Sequence, residues 1–104
     1  MTEERDFRIS ANSLLTKSEG YIYNEIDDEI VILNVNKGTY YNLSKVGSDI
    51  WILLEKPHTF IQIVNYLTSK YAVELDRCIN ETSEYLEHLL KDGLIKIKNE
   101  ETGV

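Results

Sequence analysis

The chain between residues 21 and 43 has the alternating apolar pattern that is typical of β-strands. Three short runs are rich in β-branched and aromatic residues: 21–26, 30–35 and 39–43. Acidic residues 27–29 separate the first two runs, and a loop in which Gly38 can adopt positive φ separates the last two. Because short loops join strands that pair antiparallel, the pattern predicts a three-stranded meander.

From Ser44 onward, the spacing of the apolar residues changes to that of α-helices. Ser44 is placed to cap a helix that reaches about Glu55, and Pro57 prevents the helix from continuing. Thr59 and Gln62 have the spacing of a capping box, which predicts the start of a second helix.

A third helix is predicted over residues 76–92, with apolar side chains along one face and Gly93 placed to cap its end. Residues 94–98 alternate like a final short strand. The order β-β-β-α-α-α-β predicts a single α+β domain, in which a meander precedes a three-helix bundle. We expect a partly ordered N-terminal segment, one folded domain and a flexible tail: 1–19, 20–98 and 99–104.

The charge of the chain limits its partners. Eighteen acidic and eleven basic side chains give a net charge of −7, which repels nucleic acid and anionic membranes and favours a basic partner. The acidic start lacks the features of a signal peptide, and no apolar stretch is long enough to span a bilayer. We therefore expect a soluble cytoplasmic protein that binds neither nucleic acid nor membrane.

The sequence contains no recognisable catalytic or metal-binding motif. Cys78 is the only cysteine, and His88 lies ten residues along the same predicted helix, about 15 Å away and too far for a catalytic pair. His58 falls in a turn, and Cys78 is expected to be a small buried apolar residue. We expect no enzymatic activity, no metal and no cofactor.

The third predicted strand has an edge without protection. Residues 39–43 contain neither a charge nor a proline, which proteins use to blunt an exposed strand edge. A helix packed beside this strand would form a groove in which an extended peptide could bind by strand addition. Two other coverings of the edge remain open: the N-terminal segment 7–16 and a second copy of the chain.

Residues 38–51 carry a family resemblance. They read GTYYNLSKVGSDIW, which resembles the run G-x-Y-Y-x-L-x-x-x-G-x-x-I-W of PqqD-like RiPP recognition elements, especially the stand-alone ones of lasso-peptide biosynthesis. The resemblance extends through three further segments, residues 59–63, 71–73 and 89–95, and covers about residues 20–97.

This resemblance implies a winged-helix-like fold that binds the leader region of a ribosomally made precursor peptide. The leader would add a strand beside the third strand and contact the third helix. One wall of the groove would be Gly38, Thr39, Tyr40, Tyr41, Asn42 and Leu43. The other wall would be Cys78, Glu81, Thr82, Tyr85 and Leu86, on one margin of the helix's apolar stripe; the Ile79 margin is the alternative.

The resemblance also implies partner enzymes. In lasso systems, such a recognition element presents the leader to a separate transglutaminase-like cysteine peptidase, and an ATP-dependent cyclase then closes the ring. This chain would deliver the substrate and contribute no reacting group. The precursor and its RiPP class are left open.

Two other functions remain to be weighed. A winged-helix DNA-associated regulator would insert its third helix into the major groove, but residues 74–92 hold six acids against two bases, a net charge of −4. A homodimerisation module would instead pair the free strand edges of two copies.

Overall fold

The computed structural model describes residues 9–98. The predicted tail 99–104 and the first eight residues lie outside this range. The elements follow one another as β1 Leu14–Lys17, β2 Tyr21–Ile26, β3 Glu29–Asn34, β4 Thr39–Asn42, α1 Lys45–Leu53, β5 His58–Thr59, α2 Phe60–Lys70, α3 Leu75–Lys91 and β6 Ile95–Ile97.

The predicted meander is confirmed. Strands β2, β3 and β4 pair antiparallel in that order, with Ile32 of β3 opposite Tyr23 on one side and Tyr41 on the other. Asp27 and Asp28 form the β2–β3 turn with φ values of 54° and 70°. A two-residue loop with positive φ at both positions matches the twist of the flanking strands, and aspartate tolerates this conformation better than most residues.

The structure adds a second sheet that the sequence pattern does not predict. Strand β1 lies at its centre, antiparallel to β5 and to β6. Leu15 of β1 is fully buried, so this strand contributes to the core. The described part of the N-terminal segment therefore pairs with β5 and β6 rather than covering β4.

Three helix termini lie where the capping residues Ser44, Thr59 and Gly93 predict them. The Ser44 side chain accepts a hydrogen bond from the Gly47 amide at the start of α1. Both hydrogen bonds of the capping box between Thr59 and Gln62 are present at the start of α2. Gly93 follows α3 with φ 79°, the left-handed conformation that terminates helices.

The core lies between the meander, the three helices and the second sheet. Trp51 of α1 is buried at its centre, and its ring meets the Tyr23 ring of β2 edge to face, with 5.9 Å between centroids. Each fully buried large apolar side chain stabilises the fold by about 1.5–3 kcal/mol relative to exposure. The other fully enclosed side chains are Leu15, Ile30, Ile32, Ile50, Leu54, Ile63, Val64, Leu86, Leu94 and Ile95.

Ser48 of α1 connects the helix to the meander. Its buried hydroxyl accepts a hydrogen bond from the Ile30 amide at 2.8 Å and donates to the Leu43 carbonyl at 3.4 Å. The Leu43 amide in turn donates to the Ile30 carbonyl at 2.9 Å. One hydroxyl therefore fixes the beginning of β3 and the end of β4 against α1.

We predict that Ser48→Ala lowers the free energy of unfolding by about 1–3 kcal/mol, because it leaves the buried Ile30 amide without an acceptor. The measurement is equilibrium urea denaturation. Ser69→Ala, at an exposed position of α2, is the matched control and should change stability by less than about 0.5 kcal/mol. Equal effects of the two substitutions would contradict the structural role of Ser48.

Candidate functional site

Strand β4 has one paired and one open edge. It pairs with β3, and within residues 9–98 no strand pairs with its other side. The Leu43 amide points toward β3, where it donates to Ile30. Because alternate residues of an antiparallel strand face its partner, the amides and carbonyls of Tyr40 and Asn42 face the open side. The edge thus offers two donors and two acceptors to an added strand.

A pocket of about 330 Å³ begins at Ser44, two residues after the C-terminal end of β4. It lies between the start of α1, the end of α2 with the loop that follows it, and residues 78–85 of α3. Its α3 wall contains Cys78, Glu81, Thr82 and Tyr85. The remaining lining residues are mostly apolar and come from other elements: Ser44, Val46, Gly47, Ile50, Leu67, Tyr71 and Val73.

Tyr85 and Gly47 set the shape of the pocket where α3 meets α1. The Tyr85 hydroxyl donates to the Gly47 carbonyl at 3.2 Å, and burial raises the pKa of this tyrosine, so it remains a donor at physiological pH. A Cβ atom at Gly47 would lie 2.6 Å from the Tyr85 oxygen. Glycine at position 47 therefore allows the two helices to approach closely.

Cys78 and Glu81 give the α3 wall two different characters. Cys78 is buried, and its sulfur lies 3.7 Å from the Thr82 hydroxyl one turn along the helix. Glu81 is exposed and pairs with Arg77 at 2.9 Å. The wall is consequently apolar inside and acidic at its rim.

Asp49 holds the opposite wall in place. The Tyr71 hydroxyl donates to its carboxylate, and Lys70 forms an ion pair with it at 3.1 Å. Burial alone would raise the pKa of Asp49, but hydrogen bonds from Tyr71 and Lys70 outweigh it, and the pKa is lowered. The carboxylate stays ionised and fixes Tyr71, a pocket residue, against α1.

The structure separates the sequence-predicted site residues into three groups. Cys78, Glu81, Thr82 and Tyr85 share one pocket wall, whereas Ile79 packs partly buried against the core. Leu43 and Leu86 are buried in the core, so their side chains do not line the pocket. The four positions of β4 and the preceding glycine form the edge, and among them only the Tyr41 side chain packs against the core: Gly38, Thr39, Tyr40, Tyr41 and Asn42.

The pocket residues of α1 and α2 were missed from the sequence. Val46, Ile50 and Leu67 follow the apolar spacing of their helices, which predicts burial but not a shared cavity. The family resemblance is the signal that could have found several of the missed lining residues, because its segments 38–51 and 71–73 include Val46, Gly47, Ile50, Tyr71 and Val73.

The histidines lie away from this pocket. His58 is in β5, with one ring nitrogen 2.9 Å from the Lys56 carbonyl, and His88 is exposed on α3. Among the residues described, no group of three His, Cys, Asp or Glu side chains could hold a metal ion. No helix in the described range is both long and apolar enough to cross a membrane.

A family model described as coenzyme PQQ synthesis protein D (PqqD) matches residues 29–95, which include β4, the pocket and all three helices. The chain belongs to the PqqD family. No curated protein sequence matches this PqqD-family domain.

Two solved structures are similar to the PqqD-family domain. One is TbiB1 in complex with the TbiA(beta) leader peptide, with a TM-score of 0.72, 32% identity and coverage of 78% of this chain and 94% of that chain. The other is lasso peptide synthetase B1 complexed with the leader peptide, with a TM-score of 0.70, 21% identity and coverage of 79% and 96%. The second similarity is one of fold.

We predict that Gly47→Ala and Tyr85→Phe are energetically coupled. The new methyl group of Gly47→Ala collides with the Tyr85 hydroxyl, and Tyr85→Phe removes that hydroxyl. The cycle is measured by denaturation. The free energy of unfolding of the double variant should exceed the value expected from adding the two single effects by about 1 kcal/mol or more. Additive effects would contradict the contact. The higher helix propensity of alanine at position 47 is present in both the single and the double variant, so it cancels in the cycle.

Proposed function

We propose that this domain binds the leader region of a ribosomally synthesised precursor peptide of the lasso class and holds it for processing enzymes. The observation that carries the proposal is the open edge of β4, which ends beside a pocket formed with α3. The leader pairs with the edge as an added strand, and a side chain of the leader enters the pocket.

The similar structures support this proposal. Both TbiB1 and lasso peptide synthetase B1 were solved as complexes with leader peptides, and TbiB1 is 32% identical to this chain. The family model covers the same β4, α1 and α3 segments from which the edge and the pocket are built.

Backbone pairing and the pocket make different contributions to leader binding. Each hydrogen bond to Tyr40 or Asn42 contributes about 0.5–1.5 kcal/mol net and does not depend on the leader's sequence. These bonds must also offset the cost of ordering a flexible peptide. Selectivity therefore comes from an apolar anchor in the pocket and from basic leader residues drawn to the acids Glu81 and Glu84.

The pocket is suited to binding rather than to a covalent reaction. Its cysteine, Cys78, faces Thr82 on its own helix, and the lining residues include no histidine that could take its proton. We infer that a separate transglutaminase-like cysteine peptidase removes the leader and that a cyclase acts on the remainder. By holding the leader, the domain raises its effective concentration at the peptidase.

The two other functions are not favoured. The helix that would enter DNA as a winged helix-turn-helix module carries a net charge of −4 over residues 74–92, which phosphates repel. A homodimer formed through β4 would occupy the edge that the leader uses.

We predict that a synthetic peptide with the leader sequence of the domain's own precursor slows hydrogen exchange at alternate residues of β4. The amides of Tyr40 and Asn42 face the open edge and should gain protection, whereas the Tyr41 amide already faces β3 and should change little. NMR exchange rates with and without the leader measure this, and a scrambled leader is the control. Protection restricted to β2, or uniform along β4, would contradict strand addition at this edge.

We predict that Tyr40→Pro weakens leader binding about tenfold or more relative to Tyr40→Ala. Proline is tolerated where an edge strand's amide faces solvent, so pairing with β3 should persist while the donor toward the leader is lost. Tyr40→Ala removes the side chain and keeps this amide. Calorimetry measures both affinities, and circular dichroism checks the fold. Equal affinities would mean that the Tyr40 amide does not pair with the leader.

A further inference from the structure

Thr82 of α3 differs in its hydrogen bonding from the other buried polar side chains of residues 9–98. Four polar side chains in this range are buried, and three of them accept a hydrogen bond from a backbone amide: Ser13, Asn34 and Ser48. Thr82 is the fourth, at 5% exposure, and within the same range its hydroxyl contacts only the Cys78 sulfur, at 3.7 Å. A thiol is a weak donor and a weak acceptor, so this hydroxyl is poorly satisfied.

Threonines inside helices commonly bond their hydroxyl to the backbone of the preceding turn. Thr68 of α2 does so, because its hydroxyl lies 3.1 Å from the Val64 carbonyl and 3.2 Å from the Asn65 carbonyl. In the described part of the chain, the Thr82 hydroxyl makes no such bond and is turned toward Cys78, another residue of the pocket wall. This orientation leaves the hydroxyl available to a group inside the pocket.

The other hydroxyl groups of the pocket already have oxygen or nitrogen partners. The Ser44 hydroxyl accepts a hydrogen bond from the Gly47 amide, and the Tyr85 hydroxyl donates to the Gly47 carbonyl. The Tyr71 hydroxyl donates to a carboxylate of α1. Among the described lining residues, Thr82 thus carries the one hydroxyl without a partner of this kind.

A ligand in the pocket determines whether this hydroxyl becomes satisfied. A wholly apolar side chain placed against Thr82 would exclude water from the hydroxyl and leave it without a partner, which costs free energy. A side chain with a hydrogen-bonding group at its tip avoids this cost. A site with an uncommitted buried polar group discriminates strongly against ligands that lack the matching group.

The surrounding charges restrict this tip to a neutral group. Glu81 is the one charged side chain among the described lining residues, and it lies at the exposed rim, paired with Arg77. A cationic tip would find its counter-charge at this rim and not beside Thr82. An anionic tip would be buried near Glu81, and no lining residue in the described range is basic.

We propose that the pocket selects a leader side chain that is apolar along its length and ends in a neutral hydroxyl or carboxamide group, which hydrogen-bonds to the Thr82 hydroxyl. This inference rests on the proposed leader binding and specifies the anchor that such binding requires. Thr82 then determines which side chain the pocket accepts, whereas the β4 edge pairs with any extended backbone.

The test compares three single variants by calorimetry, with a synthetic peptide that has the leader sequence of the domain's own precursor. Thr82→Val removes the hydroxyl and keeps a side chain of similar shape, whereas Thr82→Ser keeps the hydroxyl. Thr68→Val makes the same change as Thr82→Val at a position of α2 that does not line the pocket, and it is the matched control. Urea denaturation verifies that each variant is folded.

Thr82→Val should weaken leader binding about fivefold or more, because the tip of the anchor loses its partner. Thr82→Ser and Thr68→Val should bind within about threefold of wild type, because both keep the hydroxyl at position 82. Thr82→Val should not lower stability, since its hydroxyl has only a weak partner within the described domain.

A second measurement changes the leader and uses the wild-type domain as well as Thr82→Val. Each neutral polar side chain of the peptide is replaced in turn by an apolar one of similar shape, such as phenylalanine for tyrosine or valine for threonine. One replacement should weaken binding to the wild-type domain by about the factor that Thr82→Val causes. The same replacement should cause little further loss in the Thr82→Val domain, because the two changes remove one hydrogen bond.

Three results would overturn the inference. Unchanged or tighter binding by Thr82→Val would show that the anchor is wholly apolar. Equal losses with Thr82→Val and Thr82→Ser would assign the effect to the shape of the side chain rather than to its hydroxyl. Leader replacements that all leave wild-type affinity unchanged, or that all add to Thr82→Val, would show that no leader side chain bonds this hydroxyl. If the wild-type domain binds no leader, the proposed function fails instead, and calorimetry shows this before any variant is compared.

Discussion

The position of the candidate site depends on the junction between β4 and α1. The chain passes from strand to helix within two residues, because Leu43 ends the pairing with β3 and Ser44 caps the helix. Ser48 then bonds both strands from within α1. This junction sets the angle between the open edge and the helices, and so it brings the end of β4 to the pocket.

Close contact between α1 and α3 is the second requirement. Gly47 lies one turn after the cap and allows the Tyr85 hydroxyl to reach its carbonyl. A larger residue there would separate the helices and alter the pocket. The glycine and the tryptophan of the same short run thus have distinct physical roles: Gly47 shapes the site, while Trp51 fills the core beneath the meander.

The elements that sequence reasoning predicted are those with strong local signals. Alternation predicts the meander, and the capping residues Ser44, Thr59 and Gly93 predict the helix boundaries. Strand β5 was missed because it has only two residues, and β1 was missed because its residues, LLTK, do not alternate between apolar and polar. Their pairing is specified by partners distant in sequence.

The candidate site was likewise predictable only where a local pattern marks its residues. Helical spacing places Cys78 and Tyr85 on one margin of the α3 apolar stripe but does not choose between that margin and the Ile79 margin. The structure places both residues at the pocket. The helical repeat also assigned Leu86 to this wall, but a side chain at the centre of the apolar stripe is buried in the core. Which residues of α1 and α2 complete the pocket depends on tertiary packing, which has no local signal.

Strand β4 shows how four residues can serve three surfaces. Tyr41 packs toward the core, Tyr40 is exposed on the opposite face of the sheet, and the backbone of Tyr40 and Asn42 faces the open edge. A shift in register by one residue would exchange the two faces of a strand. Since the neighbours Tyr40 and Tyr41 are identical, hydrophobicity alone discriminates weakly between the two registers. The bonds that Ile30 makes with Leu43 and Ser48 remove this ambiguity, because they fix the end of β4 to one residue of β3. The same buried contacts that stabilise the fold therefore also decide which backbone groups face a leader.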